Sequence, residues 1–162
     1  MFSFDPNVRL KLWPIQTARA VTEIAFRRTD IALPSMEDMK ILYNFEDPIE
    51  AAEKILDMGV KIVVVKLGGE GCYVSTKEES FHVPGFEVDV LDTTGSGDAF
   101  DGAFIVGLLQ GRSLRETAVF ANAAGALTAT GYGAVEPIPK MEDVYKLSMN
   151  SSLEEMRSND RR

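Results

Sequence analysis

Residues 61–65 read Lys-Ile-Val-Val-Val. Four β-branched side chains in a row suit a strand covered on both faces, as in a parallel sheet, better than a half-solvated strand of alternating polarity. A helix stands directly before this run. Asp47 precedes Pro48 as an N-cap residue before a proline at the first helical position, and Ala51, Ala52, Ile55, Leu56 and Met58 form one apolar face that ends at Gly59. A helix feeding a fully buried strand implies a layered α/β fold.

The rest of the chain is read around that pair. Met1 to Phe4 forms a short strand that ends in the turn tripeptide Asp5-Pro6-Asn7. Ala18, Val21, Ile24 and Ala25 give a helical period over Thr17 to Arg28, and Ile31 to Leu33 is a brief strand. Ser35 and Asp38 make a capping box before apolar Met39, Ile41 and Leu42. Gly68, Gly69 and Gly71 interrupt the chain, after which Cys72 to Ser75 and Glu79 to Val83 pair as a hairpin. Two longer helices follow: Asp98 to Gln110, closed by Gly111, and Ser113 to Thr130, closed by Gly131 and opened by a second capping box from Ser113 to Glu116. Met141 to Met149 is a final helix. Residues 1–149 are expected to form one α/β unit, and the polar residues 150–162 a frayed tail.

Composition removes several functions. The 162 residues carry 17 Lys and Arg against 25 Asp and Glu, a net charge of −8, the wrong sign for a phosphate-backbone binder, so nucleic acid is not an expected partner. No apolar stretch is long enough to span a bilayer, and no basic segment followed by an apolar core opens the chain, so no membrane partner and a cytoplasmic location are expected. The only cysteine, Cys72, cannot form an intrachain disulfide, and the only histidine, His82, leaves too few parts for the usual Ser/His/Asp or multi-histidine metal sites. Chemistry must then rest on carboxylates, backbone amides or a cofactor. Cys72 reads as a small buried hydrophobe and His82 as a residue on a hairpin face.

The segment Leu91-Asp92-Thr93-Thr94-Gly95-Ser96-Gly97-Asp98 lies between an extended stretch and an apolar helix. Its glycines let successive amides turn toward one point, and the helix amino terminus adds a positive dipole end, so the segment can cradle a phosphoryl group. Asp98 beside such a cradle is badly placed to bind phosphate but well placed to accept the proton of a hydroxyl attacking it. A Gly-rich helix entry with Asp98 as N-cap accounts for the same residues without chemistry.

Asp92 through Gly102 resembles the carboxyl-terminal signature of the ribokinase-like (PfkB) sugar kinases. Lys66-Leu67-Gly68-Gly69-Glu70-Gly71 is similar to that family's nucleotide loop, and Phe120-Ala121-Asn122-Ala123-Ala124 to its adenine-side helix. Gly133-Ala134 and Pro139 match its closing segment. Phe4 to Trp13 is most similar to the 2-keto-3-deoxygluconate kinase and fructokinase branch. The resemblance implies the carboxyl-terminal half of a ribokinase-like layered fold with a mostly parallel sheet. It implies ATP-dependent phosphorylation of a sugar or sugar acid, with 2-keto-3-deoxygluconate foremost, and ATP and Mg2+ as cofactors. Asp98 becomes the catalytic base, and the amides of Gly95, Ser96 and Gly97 the anion hole. Lys66, Gly68, Gly71 and Asn122 line the ATP pocket, and Asp5, Asn7 and Arg9 lie near the sugar and the phosphate in transfer.

The resemblance also aligns Asp92 with a monovalent-cation ligand, although Pro137 stands where some members supply a serine. Ser35-Met36-Glu37-Asp38 aligns with the family's Asn-x-x-Glu magnesium motif, which would make Asp38 a metal-side residue in place of Glu. Each position also has a plainer reading: a turn for Asp5 and Asn7, a surface ion pair for Arg9, a turn carboxylate for Asp92, a capping box for Asp38, a helix-surface amide for Asn122. Family members carry an amino-terminal half with a Gly-Gly-x-x-x-Asn sugar-recognition region and a small β lid, neither of which is in these residues. The competing function is therefore a noncatalytic nucleotide-binding fragment or interaction module. Exposed strand edges around Met1 to Phe4 and Lys61 to Leu67 are expected to drive homo-oligomerisation or to receive the missing half.

Overall fold

The computed structural model describes residues 1–149, so the tail expected at 150–162 lies outside the described residues. The chain divides into two compact units, one from Met1 to Val83 and the other beginning at Pro84.

The first unit is built on a five-stranded sheet in sequence order: β1 (Ser3–Phe4), β2 (Ile31–Ala32), β3 (Ile62–Lys66), β4 (Cys72–Ser75) and β5 (Ser80–Val83). β1, β2 and β3 are parallel, with Ser3 opposite Ile31 and Ile31 opposite Ile62, whereas β3, β4 and β5 are antiparallel. The parallel strands need helical crossovers. These are α1 (Ile15–Phe26) between β1 and β2, and α2 (Met36–Tyr43) with α3 (Pro48–Leu56) between β2 and β3. The valine run behaves as its composition requires: Val63, Val64 and Val65 are all fully buried. Because β3 is hydrogen-bonded to β2 on one side and β4 on the other, Lys61 to Leu67 is the middle of the sheet, which corrects the expectation of a bare edge there. The β-branched run marked a strand with covered faces, which by itself says nothing of its edges, since those are paired by backbone groups; β1 and β5 are the outer strands.

Local chemistry sets the helices. Asp47 caps α3 by accepting from the Ile49 amide at 2.9 Å, with Pro48 at the first position, and Ala51, Ala52 and Ile55 pack inward. The Ser35–Asp38 capping box opens α2 as expected. For α1 the helical period is right but the face is not. Ala18, Thr22 and Phe26 point inward, leaving Val21 and Ile24 43% and 58% exposed. The large Phe26 ring decides the rotation by packing edge-on against Phe4, centroids 5.5 Å apart.

The second unit consists of an extended stretch, α4 (Ser96–Leu109), α5 (Leu114–Thr128) and a last helix, α6, at residues 141–149. α4 and α5 approach closely at Gly107, where a Cβ would stand 2.9 Å from Thr117 Cγ2. α6 is held through Arg112, whose guanidinium carbon lies 4.4 Å from the Phe120 ring centroid and 4.8 Å from that of Tyr145. Such a contact contributes about 0.5–2 kcal/mol depending on desolvation, and the arginine stem adds packing. Arg112→Ala is expected to lower the melting temperature by roughly 1–8 °C at about 2–4 °C per kcal/mol for a chain of this size. Arg112→Lys should recover only part of that, since lysine cannot stack a planar group; thermal denaturation by circular dichroism reads both.

Candidate functional site

In the second unit, residues 91–98 form a loop that turns into α4. Gly95 is the N-cap residue in the left-handed region, φ +80°, a conformation open to glycine at little steric cost. Ser96, Gly97 and Asp98 then occupy the first turn of α4, so their amides lie among those without an intrahelical acceptor. One is already taken: the Ser96 N–H donates to the Thr93 carbonyl at 3.1 Å. The remaining first-turn amides, the positive helix end and the Gly95 turn form a candidate anion cradle, with Asp98 exposed in the same turn. The Ser96 hydroxyl is buried and has no hydrogen-bond partner among the described residues.

The cradle is tied from behind. Asp92 Oδ1 accepts from the Thr94 amide at 2.9 Å and the Thr94 hydroxyl at 2.7 Å, and Oδ2 accepts from the Gly133 amide at 2.9 Å. These donors, the Thr94 hydroxyl foremost, hold the Asp92 carboxyl below its usual range. Asn122 is buried, not on a helix surface, and its Nδ2 donates to the Pro84 carbonyl at 3.0 Å.

In the first unit the polar side chains collect at the carboxyl ends of the parallel strands, where ligands of open α/β sheets bind. Asp5 follows β1 and Lys66 ends β3, and Lys66 Nζ donates to Asp5 Oδ2 at 2.8 Å with side chains only 12% and 21% exposed. Asp5 Oδ1 accepts the Asn7 amide at 3.1 Å, which is the turn reading, and Asn7 sits at φ +42°. Arg9 is exposed and donates to the Val8 carbonyl at 3.0 Å. Beyond β3, a 3-10 turn at Gly68–Glu70 carries the glycine loop, with Gly68 at φ +62° and Gly71 at φ +96°. His82, on β5, donates Nε2–H to the Glu70 carbonyl at 2.9 Å and so props the loop from the hairpin. Cys72 is buried, as its reading required.

Residues 1–141 match the pfkB family of carbohydrate kinases. The chain belongs to that family. It is 37% identical over 156 residues to fructokinase-2 of Zea mays, covering 90% of this chain and 46% of the relative. It is 35% identical over 147 residues to the 2-dehydro-3-deoxygluconokinase of Thermoproteus tenax, covering 90% and 45%. A fructokinase of Vibrio cholerae O395, solved with fructose, ADP and calcium, superposes with a TM-score of 0.81 at 32% identity over 90% of this chain and 49% of that one. The chain thus spans about half the length of the curated relatives it matches, and its fold is α/β and ribokinase-like.

A PfkB kinase uses ATP with a metal ion, and the residues here fit the two unequally. First-turn amides at a positive helix end are chemically matched to a phosphoryl group. Among the described residues no three His, Cys, Asp or Glu side chains gather as a metal cluster. Asp38 is 5% exposed, with Oδ1 accepting the Val8 amide at 2.7 Å and Oδ2 accepting the Ser35 amide and hydroxyl at 3.1 and 2.6 Å. The capping box accounts for Asp38, and no catalytic step is routed through a metal at that position. Sequence reasoning missed the Asp5–Lys66 pair, which joins residues 61 apart, and the Asp92–Gly133 bond across 41 residues. No local pattern signals either, because each depends on chain segments brought together by folding.

Proposed function

We propose that this protein transfers the γ-phosphoryl group of ATP to a hydroxyl of a sugar or sugar acid. The observation that carries the reading is Asp98 in the first turn of α4, the same turn as the candidate cradle opened by Gly95. The γ-phosphorus forms a bond to the sugar oxygen, its bond to the β,γ-bridging oxygen breaks, and the hydroxyl proton passes to the Asp98 carboxylate. The amides of Gly95 and Gly97, with the Ser96 N–H already bonded to the Thr93 carbonyl, stabilise the charge on the phosphoryl oxygens. Mg2+, when bound on the nucleotide phosphates, neutralises charge in transfer. Lys66, Gly68, Gly71 and Asn122 serve the nucleotide, and Asp5, Asn7 and Arg9 the sugar.

The preferred substrate class is a sugar acid of the 2-keto-3-deoxygluconate type, with fructose second. A planar guanidinium at Arg9 can pair a carboxylate through two parallel bonds, and a 2-dehydro-3-deoxygluconokinase is among the relatives. Isothermal calorimetry with ADP and Mg2+ tests the nucleotide half of the reading: saturable one-to-one binding is expected, and folded protein that shows none sinks it. A coupled assay comparing 2-keto-3-deoxygluconate with fructose tests the rest. Binding without turnover of either sugar would favour the second reading, a noncatalytic nucleotide-binding module.

A further inference from the structure

We propose that Asp92 is a positioning residue that staples residues 129–134 to the phosphate cradle by direct hydrogen bonds, with no bound cation needed to close the joint. The inference rests on the cradle reading above. The two segments are joined at two points: the Leu91 and Asp92 amides donate to the Ala129 carbonyl at 2.9 and 3.3 Å, and the Asp92 carboxylate accepts from the Gly133 amide beyond it. At the far end the fit is tight, since a Cβ on Gly95 would lie 2.8 Å from the Ala134 carbonyl oxygen.

One oxygen of Asp92 therefore sets the Thr94 turn that enters the cradle, and the other fixes the segment against which Gly95 rests. A cradle stabilises developing charge only if its donors are already in place, so what holds the turn governs what the amides do. The donor set argues against a dedicated cation here. Three protein hydrogens already point at this one carboxylate, and Pro137 brings no side-chain oxygen.

Asp92→Asn is the informative variant. With its oxygen toward Thr94, the asparagine turns an NH2 group toward the Gly133 N–H, donor against donor, and only the staple is lost. Two readouts are taken on this chain: ADP affinity by calorimetry, and hydrogen exchange at the amides of residues 94–98 and 133. Arg112→Ala, remote from the cradle contacts, controls for general loss of stability. Asp92→Asn is expected to weaken ADP binding by about tenfold or more and to speed cradle exchange, the loss of one charge-assisted hydrogen bond. Arg112→Ala should lower the melting temperature while leaving ADP affinity and cradle exchange at wild-type values. Unchanged ADP affinity together with unchanged cradle exchange in Asp92→Asn overturns the staple. A wild-type joint whose exchange protection rises in KCl but not in tetramethylammonium chloride at equal ionic strength is a cation site and overturns it too. If the wild-type chain binds no ADP, the proposed function fails on its own, and the exchange comparison alone decides the staple.

Discussion

Asp98→Asn should cut phosphoryl transfer by about 100-fold or more while leaving ADP affinity within a factor of about two, in this chain or in a longer protein that contains it, whichever turns over. Asparagine preserves the size and polarity of the side chain at the start of α4 but cannot accept the proton of the attacking hydroxyl. The split between rate and affinity identifies the role. Gly95, not Asp98, is the N-cap, so a merely structural Asp98 would act as a first-turn carboxylate on the positive helix end, and its loss would reach turnover only through the folded fraction. Steady-state kinetics beside calorimetry on the same preparation make the comparison. Turnover at the wild-type rate in the variant would leave Asp98 as a helix-entry residue and remove the base from the proposed mechanism.

Gly95→Ala should be strongly destabilising, because it combines backbone strain with a clash. Gly95 has φ +80°, a region that costs an alanine about 1–2 kcal/mol. The new Cβ would also lie 2.8 Å from the Ala134 oxygen and 2.9 Å from the Ala134 Cα, both backbone atoms that cannot swing away. Overpacking of this kind adds about 1–3 kcal/mol. Together these give a loss of roughly 2–5 kcal/mol, or about 4–20 °C in melting temperature, and a displaced cradle that no longer binds ADP. Gly68→Ala is the internal comparison. It also has positive φ, +62°, but open space where its Cβ would go, so only the backbone strain is expected, with about half of the melting shift or a little less. Equal melting shifts in the two variants would show that contact with Ala134 contributes nothing.

Much of the architecture was legible before any coordinates. The valine run, the Asp47-Pro48 entry, the two capping boxes and the glycine breaks are local signals, each set by the physics of a few adjacent residues. They placed β3, α2, α3 and α5, and the hairpin of β4 and β5, close to where they lie. The glycine entry into α4 was legible for the same reason, since Gly95 takes the left-handed turn at little steric cost. Chain periodicity alone was a weaker guide. In α1 it gave the helix but not the face, because rotation about the helix axis was decided by where the Phe26 ring could pack against Phe4.

What the sequence determined by itself was the set of elements and the chemistry available at their ends. Sequence did not reveal that Lys61 to Leu67 is the centre of the sheet, because burial of both faces is written in the side chains whereas pairing of both edges is made by backbone groups common to every residue. Nor did it show that Lys66 is paired with Asp5 or that Asp92 reaches Gly133. Those bonds join segments 61 and 41 residues apart, and a carboxylate acquires its partner only when the fold delivers a donor to it. Tertiary structure therefore decided which polar groups gain a partner, Lys66 with Asp5 in the first unit and Asp92 with Gly133 in the second, and left Asp98 exposed at the start of α4.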